Sequence, residues 1–317
     1  MNLAIASGGA RRWGVQRGAA ALAFVLAGAA NAGDYPIKSV RWQEDYSYLS
    51  SSARAPEGLE ALKFITLSGD KSSRLTLGGE VRVRVDDIQN AAFSLRPGGD
   101  YISTTTRLLF LTDWHLGAHA RVFLQLGYHD EAGRKPAARS FDESSVDLQQ
   151  AFADWSFDDA ARIRIGRQEL PLGNQRLSEV REGGNIRRSF DGLRVDTKLA
   201  SADIIAFWAR PVLNREGAFD DRAIDGDAFY GVYAIMPSAA LAGDIDLYYL
   251  TREKAASIFA VGTARETRST LGARFSGSAA AWDWDGQLLG QWGSFGAESI
   301  RAYAATLEGG WTARAWA

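Results

Sequence analysis

The chain has 317 residues, with 36 Lys and Arg against 38 Asp and Glu and a formal charge of −2. So even a balance gives no basic footprint for nucleic acid, and the absence of cysteine excludes disulfides and thiolate metal sites. The sequence holds neither a phosphate loop (GxxxxGK followed by Ser or Thr) nor a GxSxG nucleophile elbow, which argues against NTP-driven transport and serine hydrolysis.

The first 32 residues read as a secretory signal peptide. Arg11, Arg12 and Arg17 make a basic start, Gly18–Gly28 is an apolar core, and Ala30-Asn31-Ala32 gives a small-x-small cleavage pattern. A membrane anchor needs about 20 apolar residues, and this core is shorter. Cleavage removes three arginines and no acids, taking the formal charge from −2 to −5. No later window is apolar enough for a membrane helix. An exported, cysteine-free chain is then either a soluble β protein or an outer-membrane barrel, in which a closed hydrogen-bond ladder satisfies the backbone.

Residues 33–74 read as a periplasmic N-terminal segment and 75–317 as a transmembrane barrel. Period-2 alternation dominates from residue 75 onward. Leu75, Leu77, Val81, Val83 and Val85 oppose Thr76, Glu80, Arg82, Arg84 and Asp86. Val122, Leu124, Leu126 and Tyr128 oppose Arg121, Gln125 and His129. Ile163 and Ile165 oppose Arg162 and Arg164, and Ile245, Leu247 and Tyr249 oppose Asp244, Asp246, Tyr248 and Arg252. Trp282, Trp284, Leu288 and Trp292 oppose Asp283, Asp285, Gln287 and Gln291. The parity of 146–157 and 202–210 is ambiguous.

Strands are expected near 75–87, 101–113, 118–129, 146–157, 161–169, 190–199, 202–210, 228–237, 244–252, 267–276, 281–292 and 300–308. Their connections alternate in length. Those at 88–100, 130–145, 170–189, 211–227 and 253–266 are long; those at 114–117, 158–160, 200–201, 238–243, 277–280 and 293–299 are short. An up-and-down barrel with short periplasmic turns and long extracellular loops gives this asymmetry. Tyr101, Trp114, Tyr128, Trp155, Tyr230, Trp282 and Trp292 fall near strand ends, where interfacial aromatic girdles sit. The fold class is therefore all-β, an antiparallel transmembrane barrel with about 12–13 strands present. The chain stops at GWTARAWA, inside an expected thirteenth strand, so it reads as a C-terminally truncated form of a longer barrel.

In a barrel the polar face lines the lumen and its charges set what passes. Arg82, Arg84, Arg107, Arg121, Arg162, Arg164, Arg194 and Arg274 are expected there, with Glu80, Asp86, Asp147, Asp196, Asp244 and Asp246. The plain alternative for each arginine is an ion pair with a lumen carboxylate. Collectively they favour anions, because guanidinium pairs bidentately with carboxylates.

The motifs GRQEL (Gly166–Leu170), LGNQRL (Leu172–Leu177), VREGGNIRRSFDGLRV (Val180–Val195) and DLQQAFADW (Asp147–Trp155) resemble the alginate-export family of outer-membrane proteins. RWQEDYSYL (Arg41–Leu49) is similar to that family's opening segment. The resemblance implies a monomeric barrel of about eighteen strands with an electropositive, arginine-lined constriction that conducts an anionic polyuronate. It carries Arg167, Arg176, Arg188 and Arg194 as motif arginines and Asp191 as the motif acid. The implied partners are an anionic polysaccharide such as alginate, or a small anionic solute, together with outer-membrane lipid and periplasmic export or assembly factors. No cofactor, metal or catalytic residue is expected.

Leu170–Ser189 reads as the longest loop, at the mouth or folded into the pore, and Phe190–Val195 as the returning strand, with Gly192 at a kink or close approach. His115 and His119 form an H-x3-H pair across an expected turn, which disfavours a metal site. Other readings are a porin of the same build for small anions or organic acids, an enzyme using paired carboxylates, and a soluble sugar-binding sandwich.

Overall fold

A computed structural model describes residues 37–51, 58–94, 99–157 and 160–313; the expected signal peptide lies outside them. Among these residues, fourteen strands form one antiparallel sheet. In chain order they are β1 (Ile65–Thr66), β2 (Arg74–Ile88), β3 (Tyr101–Leu116), β4 (Ala120–Ala132), β5 (Ser144–Ser156), β6 (Ala161–Gln168) and β7 (Phe190–Leu199). They continue with β8 (Ala202–Leu213), β9 (Arg222–Ala223), β10 (Asp227–Ser238), β11 (Gly243–Phe259), β12 (Gly262–Ala279), β13 (Trp282–Phe295) and β14 (Glu298–Trp311). Each long strand pairs with the next; only the two-residue β9 leaves the path, by pairing with β8. All twelve strands expected from the alternation are present, and the sheet is not closed: β14 has no partner on its outer side among the described residues.

The distribution of polarity is inverted relative to a soluble protein. Val81, Val83, Phe110, Ile165 and Leu288 are exposed, while Arg107, Arg164, Gln150 and Asn185 are fully buried. Burial of polar groups at this density is possible only where they bond one another, as on the inner wall of a barrel with lipid outside. The face assignments for β2, β4, β6, β11 and β13 agree with the observed pattern. Six of the seven girdle aromatics lie on the outer rows, whereas Tyr101 is buried on the inner face, its hydroxyl accepting from Arg134.

Two ambiguous strands have separate physical causes. In β5 the register slips: Gln125 pairs with Gln150 but Leu126 with Leu148, leaving Gln149 as a bulge. A bulge re-aims side chains, so Gln149 and Gln150 both turn inward and no single parity fits. In β8 the inner residues Ile205, Phe207 and Ala209 are themselves apolar and pack in a hydrophobic cluster, so both faces read alike.

The long connection expected at 253–266 is instead a tall hairpin. β11 and β12 run on to a two-residue turn at Ala260–Val261, with a bulge between Lys254 and Ser257. Glu253 pairs with Arg265 at 2.9 Å, and Glu266 accepts from Arg268 and Ser257. Charged cross-strand pairs suit strands that extend into water, and their polarity imitates a loop in sequence. Gly310 and Trp311 belong to β14, pairing with Asp283 and Trp282, rather than to a thirteenth long strand. No helix among the described residues is long and apolar enough to cross a membrane, which says nothing of strands.

The described part of 33–74 does not stand apart from the sheet. Ile65 and Thr66 extend its edge against β2, and Val40 and Trp42 are buried against its inner face.

Candidate functional site

The inner face carries Arg82, Arg84, Arg107, Arg121, Arg162, Arg164 and Arg194 in two groups. Near the short-turn end, Arg121, Arg162, Arg164 and Arg194 share three carboxylates. Arg121 Nε lies 2.7 Å from Asp113, Arg164 grips Asp154 with two bonds of 2.7 and 2.8 Å, and Arg194 and Arg162 reach Asp196 at 2.5 and 3.1 Å. Four guanidinium groups against three carboxylates leave this patch one positive charge in excess.

The second group holds the 169–189 segment inside the sheet. Arg107 donates to Glu182 at 2.8 Å and to the carbonyls of Gly184 and Asn185 at 2.7 and 2.8 Å. Arg82 donates to Glu182 and Gly184 at 3.0 and 2.9 Å, and Arg84 to the Gly183 carbonyl at 2.9 Å. Asn185, fully buried, returns bonds to the carbonyls of Thr106 and Asp142 at 3.0 and 2.9 Å.

The base of the segment is set by the β5 bulge. Gln149 donates to the Arg187 carbonyl at 2.9 Å, and the Gln150 side-chain oxygen Oε1 accepts from the Glu169 backbone N–H at 3.2 Å. Leu170 and Leu172 then descend into an apolar cluster with Phe190, Phe207, Phe229, Tyr233 and Leu250. Gly173 adopts φ +52 beside the Tyr233 hydroxyl, where a Cβ would collide. Beyond it, Asn174 donates to Asp285 on β13 at 3.2 Å, and Arg176 pairs with Glu308 on β14. The segment is therefore a bar across the inner face, tied to β2–β3 at one end and β13–β14 at the other.

The arginines selected from sequence thus divide. Arg82, Arg84 and Arg107 bind the bar; Arg121, Arg162, Arg164 and Arg194 form the patch below it; Arg176 is neutralised by Glu308. Arg188 is half-buried on the bar, and among the described residues its side chain has no hydrogen-bond or ion-pair partner. Burial, and then the neighbouring Arg181, hold its pKa below the usual guanidinium value. Arg167 and Asp191 pair with each other at 2.8 Å but lie on the outward row with Ile165 and Leu193, so they do not join the inner set. Arg274 is on the inner face, bonded to Asp246 and Asp285 at 3.0 and 2.6 Å.

Trp42, Glu169, Glu182, Asn185 and Arg187 were not singled out from sequence. Arg187 and Arg188 are adjacent, and nothing in the motif separates the buried member, which pairs with Glu169 and Glu182 at 2.7 and 2.6 Å, from the half-buried one. His115 and His119 do not converge: His119 meets the Ser156 carbonyl at 2.9 Å and stacks on Trp155. Among the described residues, the group compact enough for an ion is Asp147, Asp220 and Asp221, without either histidine.

Among solved structures, the chain resembles a BenF-like porin from Pseudomonas fluorescens Pf-5, with 10% identity and a TM-score of 0.50 over 76% of this chain and 63% of that one. It is also similar to OccK2 (OpdF) from Pseudomonas aeruginosa in complex with glucuronate, at 12% identity and a TM-score of 0.48, covering 79% and 63%. The chain thus spans 63% of the length of these porins. The likeness is one of fold. No curated protein matches the sequence. The family model for alginate export matches residues 73–317. That family transports and is not enzymatic, and the match takes in the whole sheet from β2 to β14: the chain belongs to the alginate export family of outer-membrane β-barrel proteins.

Proposed function

We propose that this chain forms a passive outer-membrane channel for an anionic solute, with an acidic polysaccharide such as alginate as the first substrate class. The observation that carries this reading is the inner patch in which Arg121, Arg162, Arg164 and Arg194 share only Asp113, Asp154 and Asp196. A local positive excess on a low-dielectric wall concentrates anions and repels cations. The short turns face the periplasm, the 169–189 bar narrows the passage from the outer side, and Arg188 presents along it a cation without an ion-pair partner among the described residues.

The bar favours a second reading, a porin of the same build for small anions or organic acids. A segment tied to both β2–β3 and β13–β14 narrows the inner face, which suits a small solute. Planar-bilayer conductance of the refolded full-length protein in a salt gradient separates these cases. Anion selectivity with block by polyuronate supports the polysaccharide; selectivity with block only by monomeric uronate supports the small-anion porin. Cation selectivity without block by either overturns both.

A further inference from the structure

The stretch Val40–Tyr46 sits inside the short-turn end of the sheet. Trp42 is 5% exposed, and its indole covers the Arg164 guanidinium at 3.9 Å. Arg164 in turn lies 3.7 Å over Phe152, so the cation is held between two rings. Arg194 and Arg162 approach the same indole at 5.5 and 5.9 Å, and Arg121 donates to the Trp42 carbonyl at 2.6 Å. All four arginines of the inner patch therefore face one tryptophan.

Three features mark this as a seat rather than a fixed core. The Trp42 indole nitrogen is buried without a hydrogen-bond partner, so stacking and shape hold the ring, not directed polar bonds. Its backbone is a three-residue 3₁₀ turn with no side-chain cap, which contributes little stability of its own. A cavity of about 660 Å³ opens beside it, lined by Gln43, His119, Arg162, Arg194 and Lys198 among others, giving a solute access to Arg162 and Arg194 while the turn is in place. On its far side Val40 and Trp42 share an apolar cluster with Val180 of the bar, so the two inserted segments meet inside the sheet.

We propose that Val40–Tyr46 is a built-in plug, seated by Trp42 on the arginines of the inner patch and released when an anion takes those guanidinium groups. The idea rests on reading the inner face as an anion path. The phosphate or carboxylate of a solute makes bidentate bonds with arginine that an indole face does not. An anion arriving through the cavity thus competes for the cage, and loss of the stack frees the turn.

The test is single-channel conductance of full-length protein carrying Trp42→Ala or Trp42→Phe, with folding checked by heat-modifiable gel mobility. Trp42→Ala should raise conductance at least twofold with anion preference kept, while Trp42→Phe, which keeps an aromatic face, should stay near the parent. Equal conductance in Trp42→Ala and parent overturns the plug. Loss of anion preference in the parent overturns the channel reading instead. If Trp42→Ala does not fold, the cysteine-free background allows Gln43→Cys with Ala161→Cys, two residues lining that cavity. Oxidation should depress conductance and reduction restore it. No cross-link, or no difference between the oxidised and reduced channel, overturns the plug.

Discussion

Arg107 and Glu182 are bonded at 2.8 Å although 75 residues separate them in sequence. Arg107 is fully buried, and it also carries the Gly184 and Asn185 carbonyls, so one β3 side chain fixes the turn of the bar. Arg107→Gln strands the two carbonyl acceptors, while Glu182 keeps Arg82 and Arg187 as counter-charges. Leaving buried backbone acceptors unpaired costs about 1–3 kcal/mol, so the midpoint of denaturant unfolding should fall accordingly. Arg107→Lys should recover little, because an ammonium lacks the planar fork that meets several acceptors together. An unchanged midpoint in Arg107→Gln would show that the bar does not depend on this anchor.

The other end of the bar depends on a residue with no side chain. Gly173 holds φ +52 and its Cα faces the Tyr233 hydroxyl, itself bonded to Asp246 at 2.6 Å. A side chain in the left-handed region costs about 1 kcal/mol, and here it also displaces a buried hydroxyl. Gly173→Ala should lift the 172–177 stretch and expose it to limited proteolysis. Tyr233→Phe in the same chain should reduce that sensitivity by removing the colliding atom. Equal cleavage of the single and double variants would mean that the backbone, not the collision, decides.

The strands were legible because lipid and lumen impose opposite chemistry on alternate residues, as Val81, Arg82, Val83 and Arg84 spell out directly. That signal fails where the environment is not two-sided. β8 turns Phe207 inward because Leu170 and Leu172 of the bar cover it, a contact between segments far apart in sequence. β5 loses parity at one inserted residue, Gln149, which the bar needs for its Arg187 carbonyl. Arg167 and Asp191 carried the family motif yet face outward at the strand ends, so motif membership did not reveal orientation. Trp42 lay within a family-like segment, but its place under four arginines is a tertiary fact that no local pattern encodes.

Glu169 gives the bar a pH dependence. Burial raises its pKa from the usual carboxylate range to about 7, and Arg187, which pulls it down, only partly offsets this. A raised folded-state pKa means that the docked bar binds a proton which the solvated carboxyl releases at lower pH. The stabilisation is therefore complete below about 4.5, the ordinary glutamate value, and is lost as pH rises through about 7. Protease resistance of the 169–189 segment should then be greater at mildly acidic than at alkaline pH. Glu169→Gln, which mimics the protonated form, should flatten the profile. A profile that is already flat in the parent, or runs the other way, would remove Glu169 from this role.

Arg176 and Arg188 both lie on the bar, but their charges are not equivalent. Arg176 is paired with Glu308, at 33% and 66% side-chain exposure, whereas Arg188 faces no carboxylate within bonding reach among the described residues. An exposed pair contributes only about 0–1 kcal/mol to stability, and its net charge is close to zero. Arg188→Ala removes a cation that no carboxylate bonds, so it should move the reversal potential in a KCl gradient toward cation permeation. Arg176→Ala leaves Glu308 as an unpaired acid at the far wall, 132 residues away in sequence but adjacent in space. Its shift should be the smaller, because both groups are more exposed and are screened by salt, and Arg176→Ala with Glu308→Ala should return the potential to the parent value. A larger shift from Arg176→Ala than from Arg188→Ala would place the selective charge at the β14 end of the bar instead.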